Sequence, residues 1–354
     1  MKLSEKAFTN ALMRWHRPKN RRQMPWKGEK DPYRIWLSEV ILQQTRVDQG
    51  WAYYERFLQA FPSVQALASA PDTKVFKLWE GLGYYSRCRN LLATARLVAQ
   101  DLGGEFPREL EGLRKLKGVG PYTAAAIASF AFGLPHAVVD GNVTRILSRF
   151  FGHALPVDGP EGKKLFSDLA QRLLDKKDPA GWNQAIMDLG ATVCKPRQPR
   201  CGDCPLGKRC VAYQQERVNE LPLKLKKAPR KKRYIYYMVF EHKGHRLVGE
   251  RLRKDIWQHL HDFPSLGSDT PLTPEHIWRE IRKQDPGQPV RMAADNMVGP
   301  FRQALTHLEV EAFFFRAKVK SRFPEPEGYR WVSGKAMAGL AFPRLIVTFL
   351  SEMG

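Results

Sequence analysis

The sequence predicts two domains, an all-α domain followed by an α/β domain, on three observations. Up to about residue 222 the apolar positions recur at helical spacing, and glycine and proline punctuate them in short turns. A run dominated by Lys and Arg around Ala228-Pro229 then breaks the composition, as interdomain linkers do. After it, residues 234–240, a Lys-Gly-His turn and residues 246–250 read as a β-hairpin, and residues 308–315 as a further strand. Helical patterns return at 273–284 and near the end. The expected domains are 1–222 and 234–354, joined by a basic linker at 223–233.

Of the 354 residues, 43% are hydrophobic and 27% charged, an ordinary soluble globular composition with length for about two domains. The opening Met1-Lys-Leu-Ser-Glu-Lys lacks the apolar core of a secretory signal, and no stretch reads as membrane-spanning. A cytoplasmic, nucleoid-associated monomer is therefore expected. The formal charge of +22 favours a polyanionic partner, because Lys and Arg that neutralise phosphates release counterions. Ribosomal proteins, nucleases and glycosylases all carry such an excess.

Taken in order, a helical start gives way to a loop at 21–27, with Pro25 and Asp31-Pro32 as breakers. A helix is expected over 33–49. At helical spacing Glu39 shares a face with Ile35, Trp36, Leu42 and Gln43, an apolar setting that desolvates a carboxyl and raises its pKa. Such a group suits a general acid; the plainer reading is a boundary glutamate paired with Arg46. Residues 109–116 and 122–132 read as two helices joined by Gly118-Val119-Gly120-Pro121. Gly118 and Gly120 permit backbone conformations closed to other residues, and Pro121 suits a first helical position. The turn then presents free N–H groups at a helix N-terminus, where a phosphate binds, although αα-hairpins with a glycine turn are common. Asp140 precedes a helix at 143–151 as its N-cap, where N–H groups and the helix dipole favour an ionised carboxylate.

Four of the five cysteines fall at Cys194-x6-Cys201-x2-Cys204-x5-Cys210. In a reducing compartment such spacing calls for a metal centre, and four thiolates suit either zinc or a [4Fe-4S] cluster. Lys195, Arg197, Arg200, Lys208 and Arg209 interleave with them, placing a basic loop for phosphate contact. Cys88 reads as a free thiol.

Leu-x-Gly-Val-Gly-Pro-x-Thr-Ala, followed by Val-Asp-Gly-Asn-Val, resembles the helix-hairpin-helix DNA glycosylases. Leu-Ser-Glu-Val-Ile-Leu-Gln-Gln-Thr at 37–45 and Trp-Glu-Gly-Leu-Gly-Tyr-Tyr at 79–85 resemble the A/G-specific adenine DNA glycosylase (MutY) family within it. The cysteine spacing matches the cluster loop of that superfamily, which implies a [4Fe-4S] cluster on Cys194, Cys201, Cys204 and Cys210. The region after residue 233 resembles the family's Nudix-like C-terminal domain. Residues 276–282 lack the Arg-Glu-x-x-Glu-Glu helix that would hold magnesium, so recognition is expected there and not pyrophosphate hydrolysis.

The resemblance implies a monofunctional glycosylase that removes adenine opposite 8-oxoguanine or guanine in duplex DNA. Glu39 protonates the flipped base, Asp140 stabilises the sugar cation, and Tyr122 and Asn142 support them; Tyr122 is expected to hydrogen-bond near Asp140. For Glu39 to be protonated at pH 7 its pKa must rise from about 4.3 by roughly 3. Arg22, Trp26 and Lys27 lie near the base pocket, with Lys27 standing where many family members have arginine. Gln44, Thr45, Leu82 and Tyr84 contact the DNA around the lesion, Leu82 and Tyr84 as wedges in the base stack, and Gly118, Val119 and Gly120 hold a phosphate. Where most members have Phe-Ser-His, this chain has Leu305-Thr306-His307, in which Thr306 and His307 face the altered purine. An endonuclease III-like lyase would need lysine at position 122 and no second domain; a noncatalytic iron-sulfur DNA-binding protein would not need both Glu39 and Asp140.

Overall fold

The structure, a computed structural model, describes residues 5–20, 22–226, 228–284 and 297–352. The chain divides into two compact units, one of Met1–Ser69 with Asn90–Lys226 and one of Ala70–Arg89 with Lys227–Gly354. No helix among the described residues is long and apolar enough to cross a membrane.

In the first unit the helices are α1 (Glu5–Lys19), α2 (Pro32–Leu42), α3 (Val47–Ala60) and α4 (Val64–Ala68). After α5 (Asp72–Trp79) of the second unit, α6 (Tyr85–Gln100) re-enters the first. There α7 (Leu110–Arg114), α8 (Pro121–Phe132), α9 (Gly141–Phe151), α10 (Pro160–Leu173), α11 (Pro179–Thr192) and α12 (Val211–Gln214) follow. Phe8 of α1, Ile146 of α9, Phe166 of α10 and Trp182 of α11 meet in one fully desolvated core. Helix α8 is apolar on every side, and its buried Ala124, Ala125, Ala126 and Ala128 let α2 pack closely against it.

The expected helix over 33–49 is two helices. Asp31 caps α2, its carboxylate accepting from the Tyr33 N–H at 2.9 Å, with Pro32 in the first turn. The helix stops at Leu42 because Gln44 takes a left-handed conformation, φ +60°, which no α-helix accommodates. In the αα-hairpin, α7 is shorter than the expected 109–116. Gly118 sits at φ +77°, and a Cβ there would meet the Asn90 Cβ at 2.8 Å. Gly120 differs from expectation: at φ −80° it has ordinary extended backbone, and a Cβ on it would face open space. Val119 is buried and its N–H is bonded to the Leu116 carbonyl at 3.1 Å, so it has no free donor for a phosphate. The open donors belong to the first turn of α8, which has no side-chain cap.

Among the described residues the second unit is built on a seven-stranded sheet of β1 (Lys231–His242), β2 (His245–Glu250), β3 (His261–Asp262), β4 (Ser265–Ser268), β5 (Met297–Ala304), β6 (Leu308–Lys318) and β7 (Tyr329–Ser333). The order is β3-β2-β1-β6-β5, with β4 on β1 and β7 on β2. The expected hairpin is present as β1 and β2, and β1 also runs parallel to β6 from Lys231↔Leu308 to Glu241↔Lys318. Residues 235–240 are continuously buried because both faces are covered. Helix α13 (Pro274–Gln284) brings Ile277 and Ile281 into the core of one face. After α14 (Gly334–Met337), α15 (Arg344–Glu352) stacks Phe349 on Phe314 at 4.0 Å.

Two expected boundaries shift. Lys231, Lys232 and Arg233, assigned to the linker, begin β1, since main-chain pairing with β6 does not depend on their charge. Residues 70–89, assigned to the first domain, belong to the second unit. The reason is polar and non-periodic: Lys77 Nζ donates to the Leu340 carbonyl at 3.0 Å, the Glu80 carboxylate accepts from the Phe342 N–H at 2.9 Å, and Arg89 donates to the Gln258 carbonyl at 3.0 Å.

Gly118→Ala combines a left-handed φ with a short Cβ contact. It is expected to lower unfolding free energy by about 1–3 kcal/mol, read from urea denaturation midpoints at constant m-value.

Candidate active site

A cavity of about 740 Å³ lies in the first unit where the C-terminal end of α2, the N-termini of α8 and α9, and the loop after α1 converge on α11. Nine expected site residues line it: Arg22, Trp26, Lys27, Glu39, Gln44, Thr45, Tyr122, Asp140 and Asn142. The left-handed turn at Gln44 sets Gln43, Gln44 and Thr45 on its wall, and Gln43 Nε2 donates to the Thr123 hydroxyl at 3.2 Å.

Glu39 is 7% exposed, and burial pushes its carboxyl up to about 7. The Tyr122 hydroxyl donates to it and lowers that value somewhat, while the nearby Asp140 charge raises it. Burial drives the phenol itself well above its ordinary range, helped by both carboxylates, so Tyr122 stays protonated and remains a donor. Its hydrogen bond goes to Glu39, with Asp140 close to both. Asp140 caps α9: one carboxylate oxygen accepts from the Asn142 and Val143 N–H groups, each at 2.8 Å, and the other from Asn142 Nδ2 at 2.7 Å. Burial pushes the Asp140 carboxyl up, and those three donors together with Arg145 oppose the shift. The result, among the described residues, is one carboxyl with no cation beside it and one wrapped in donors.

Behind Asn142 stands Arg145, whose guanidinium donates to Asn142 Oδ1 at 2.9 Å, to the Gly190 carbonyl at 2.8 Å and to the Cys194 carbonyl at 2.8 Å. Gly190 on α11 is required by this close approach, since a Cβ would fall 2.5 Å from the Asn142 Cβ.

The sequence reading missed Asp188. Its side chain is fully buried and accepts from Asn20 Nδ2 at 2.6 Å, Arg22 Nη1 at 2.9 Å and Lys27 Nζ at 3.4 Å. Asp188 thereby fixes both cations at the cavity wall. A carboxylate inside an apolar helical run was the available signal. His16, bonded to Asn20 at 2.9 Å, is pushed down by burial and by Lys27, which keeps its ring neutral near pH 7.

The remaining expected residues lie elsewhere. Gly118, Val119 and Gly120 form the hairpin outside the cavity lining. In the second unit, Leu82 is buried at 6%. Tyr84 is 46% exposed at φ +49°, with its hydroxyl 3.5 Å from the Thr306 hydroxyl. Thr306 and His307 are both exposed.

Cys194, Cys201, Cys204 and Cys210 line one small cavity with Arg149, and none is in a disulfide. Among the described residues no three His, Cys, Asp or Glu side chains close on a point suited to a single metal ion. Arg149 donates to the Cys194 sulfur at 3.4 Å, and burial pushes the Cys204 thiol up to about 12. Four soft donors sharing one small pocket fit a metal centre.

In the folded protein Glu39 is protonated up to about pH 7, whereas the unfolded chain ionises it near pH 4.5. Its contribution to stability is thus full below about pH 4.5 and lost as pH rises towards 7, on the order of 3 kcal/mol. Relative to the wild type, Glu39→Gln is expected to gain stability over that interval and hold the gain above it, measured by denaturation at pH 4.5, 6 and 8.

Residues 37–165 match the family model of the HhH-GPD superfamily of base excision DNA repair proteins. The chain is 32% identical over 259 residues to the adenine DNA glycosylase of Buchnera aphidicola subsp. Schizaphis graminum (strain Sg), a match covering 73% of this chain and 75% of that one. With the adenine DNA glycosylase of Buchnera aphidicola subsp. Baizongia pistaciae (strain Bp) it shares 30% identity over 304 residues, 85% of this chain and 83% of that one. A solved thermostable thymine-DNA glycosylase superposes with a TM-score of 0.55 at 30% identity, over 60% of this chain and 97% of its own. With its two carboxylates set apart in one cavity and this likeness over most of its length, the chain belongs to the adenine DNA glycosylase family.

Proposed function

We propose that this protein hydrolyses the N-glycosidic bond of adenine opposite 8-oxoguanine or guanine in duplex DNA, as a first step of base excision repair. The observation that carries the reading is the pairing of Glu39, buried and pushed up to about 7, with Asp140, held by three donors. Glu39 gives its proton to the adenine ring, so the base leaves neutral as the bond to the sugar breaks. The Asp140 carboxylate faces the oxocarbenium-like sugar that remains, and water adds to it, returning a proton to Glu39. Asn142 orients Asp140, and Tyr122 keeps the Glu39 proton directed into the cavity. Arg22, Trp26 and Lys27 receive the base, and Gln44 and Thr45 meet the flanking strand.

Tyr122 has no amine to form a Schiff base, which disfavours the lyase reading. Tyr84, exposed beside Thr306, supports a contact with the opposing purine through the Thr306 hydroxyl and His307. We assign the second unit to lesion recognition as a Nudix-like domain, and the protein to the cytoplasm as a monomer. The four cysteines would hold a [4Fe-4S] cluster, which supplies cross-linking of a basic loop; Arg149 and Arg145 tie that loop to α9.

Single-turnover excision from duplexes carrying A opposite 8-oxoguanine, G, T or C tests the reading. Release of adenine from the first two, leaving an abasic strand that breaks only in alkali, is expected. Glu39→Gln should slow release by at least about 100-fold while retaining DNA binding. Near-normal release by that variant, or strand scission without alkali, contradicts the assignment. Because the Tyr122 phenol lowers Glu39, Tyr122→Phe should move the alkaline limb of the rate profile, expected near pH 7, to higher pH.

Anaerobically purified protein should contain about four irons per chain and be yellow-brown. One zinc and no iron after reconstitution rules out the cluster.

A further inference from the structure

His16, near the end of α1, lines the first unit's cavity, and no step described so far uses it. Its tautomer is fixed by a chain of hydrogen bonds that begins at Asp188. Asn20 Nδ2 lies 2.6 Å from an Asp188 carboxylate oxygen and 2.9 Å from His16 Nδ1. An amide oxygen that close to a carboxylate would be repelled, so the atom there is the NH2 group. The Arg22 main-chain N–H, donating to Asn20 Oδ1 at 3.3 Å, requires the same orientation. One amide hydrogen goes to Asp188 and the other to the imidazole, whose Nδ1 must then accept. The ring proton therefore sits on Nε2, and among the described residues Nε2 has no hydrogen-bond partner.

The same arrangement keeps the ring neutral. Protonating Nδ1 would set two donors against each other and break the bond to Asn20. Burial and the Lys27 charge also push the imidazole below its ordinary value; Asp188 and Asp178 oppose that shift, and Arg17 adds to it. A neutral imidazole on the cavity wall donates one hydrogen bond and does not act as an acid near pH 7. Adenine offers several ring nitrogens that accept, and Glu39 protonates one of them. We propose that His16 Nε2 donates to a second ring nitrogen of the bound adenine, holding the base while leaving its protonation to Glu39. A base carrying an N–H at that edge meets donor against donor and is refused. The inference rests on the adenine-excising reading of the first unit.

Its test is single-turnover release by the full-length protein and by its variants His16→Phe and His16→Gln. The duplexes carry adenine, 1-deazaadenine, 3-deazaadenine or 7-deazaadenine opposite 8-oxoguanine, each analogue replacing one ring nitrogen by C–H. His16→Phe keeps a flat ring without the donor, and His16→Gln keeps a neutral donor. Because His16 is only part-buried, both variants should fold, which unfolding midpoints verify. On adenine, His16→Phe is expected to slow release about tenfold, and His16→Gln to recover most of that loss. Among the analogues that the wild type still releases, one is expected to leave about tenfold more slowly than adenine and to show no further loss with His16→Phe. That analogue identifies the nitrogen His16 meets. Equal losses on adenine and on every released analogue, or no loss on adenine, overturn the inference while the function assigned to the first unit stands. No release of adenine by the wild type overturns that function and this inference with it.

Discussion

A carboxyl group buried in protein must be neutral, hydrogen-bonded or paired with a cation, and three carboxyls of the first unit combine these solutions differently. Glu39 is buried with a phenol as its hydrogen-bond partner and remains protonated towards neutral pH. Asp140 is surrounded by two main-chain N–H groups and an amide. Asp188, fully buried, takes two cations and the Asn20 amide. The different settings of these carboxyls therefore follow from which element carries each residue: the interior of α2, the N-cap of α9 and α11.

Much of this was legible in the sequence because it rests on local patterns. An aspartate just before a helical run is an N-cap wherever the chain goes, and a glutamate on an apolar stripe is desolvated by whatever packs there. The break in the expected helix at Gln44 was not legible, since neither glycine nor proline marks it and its left-handed turn depends on tertiary surroundings. The role of Asp188 was hidden for the same reason, because its partners lie about 160 residues away in sequence. The glycines of the hairpin carried the right turn with one wrong detail: Gly118 needs its conformation, and Gly120 does not.

Domain limits were read least well, because composition marks where a chain becomes polar and not what it packs on. Residues 70–89 look helical like their neighbours, yet their polar side chains are spent on the main chain of 258 and 340–342. The basic run before residue 234 looks like a tether, yet its last three residues are strand.

Arg145 touches three things that chemistry would treat separately: the amide that orients Asp140, the backbone of α11 at Gly190, and the first residue of the cysteine loop. In genetic terms one guanidinium makes these a single locus. A substitution in the loop can reach Asp140 without touching the cavity, and a loss of function mapped to Gly190, Cys194 or Asn142 can share one physical origin.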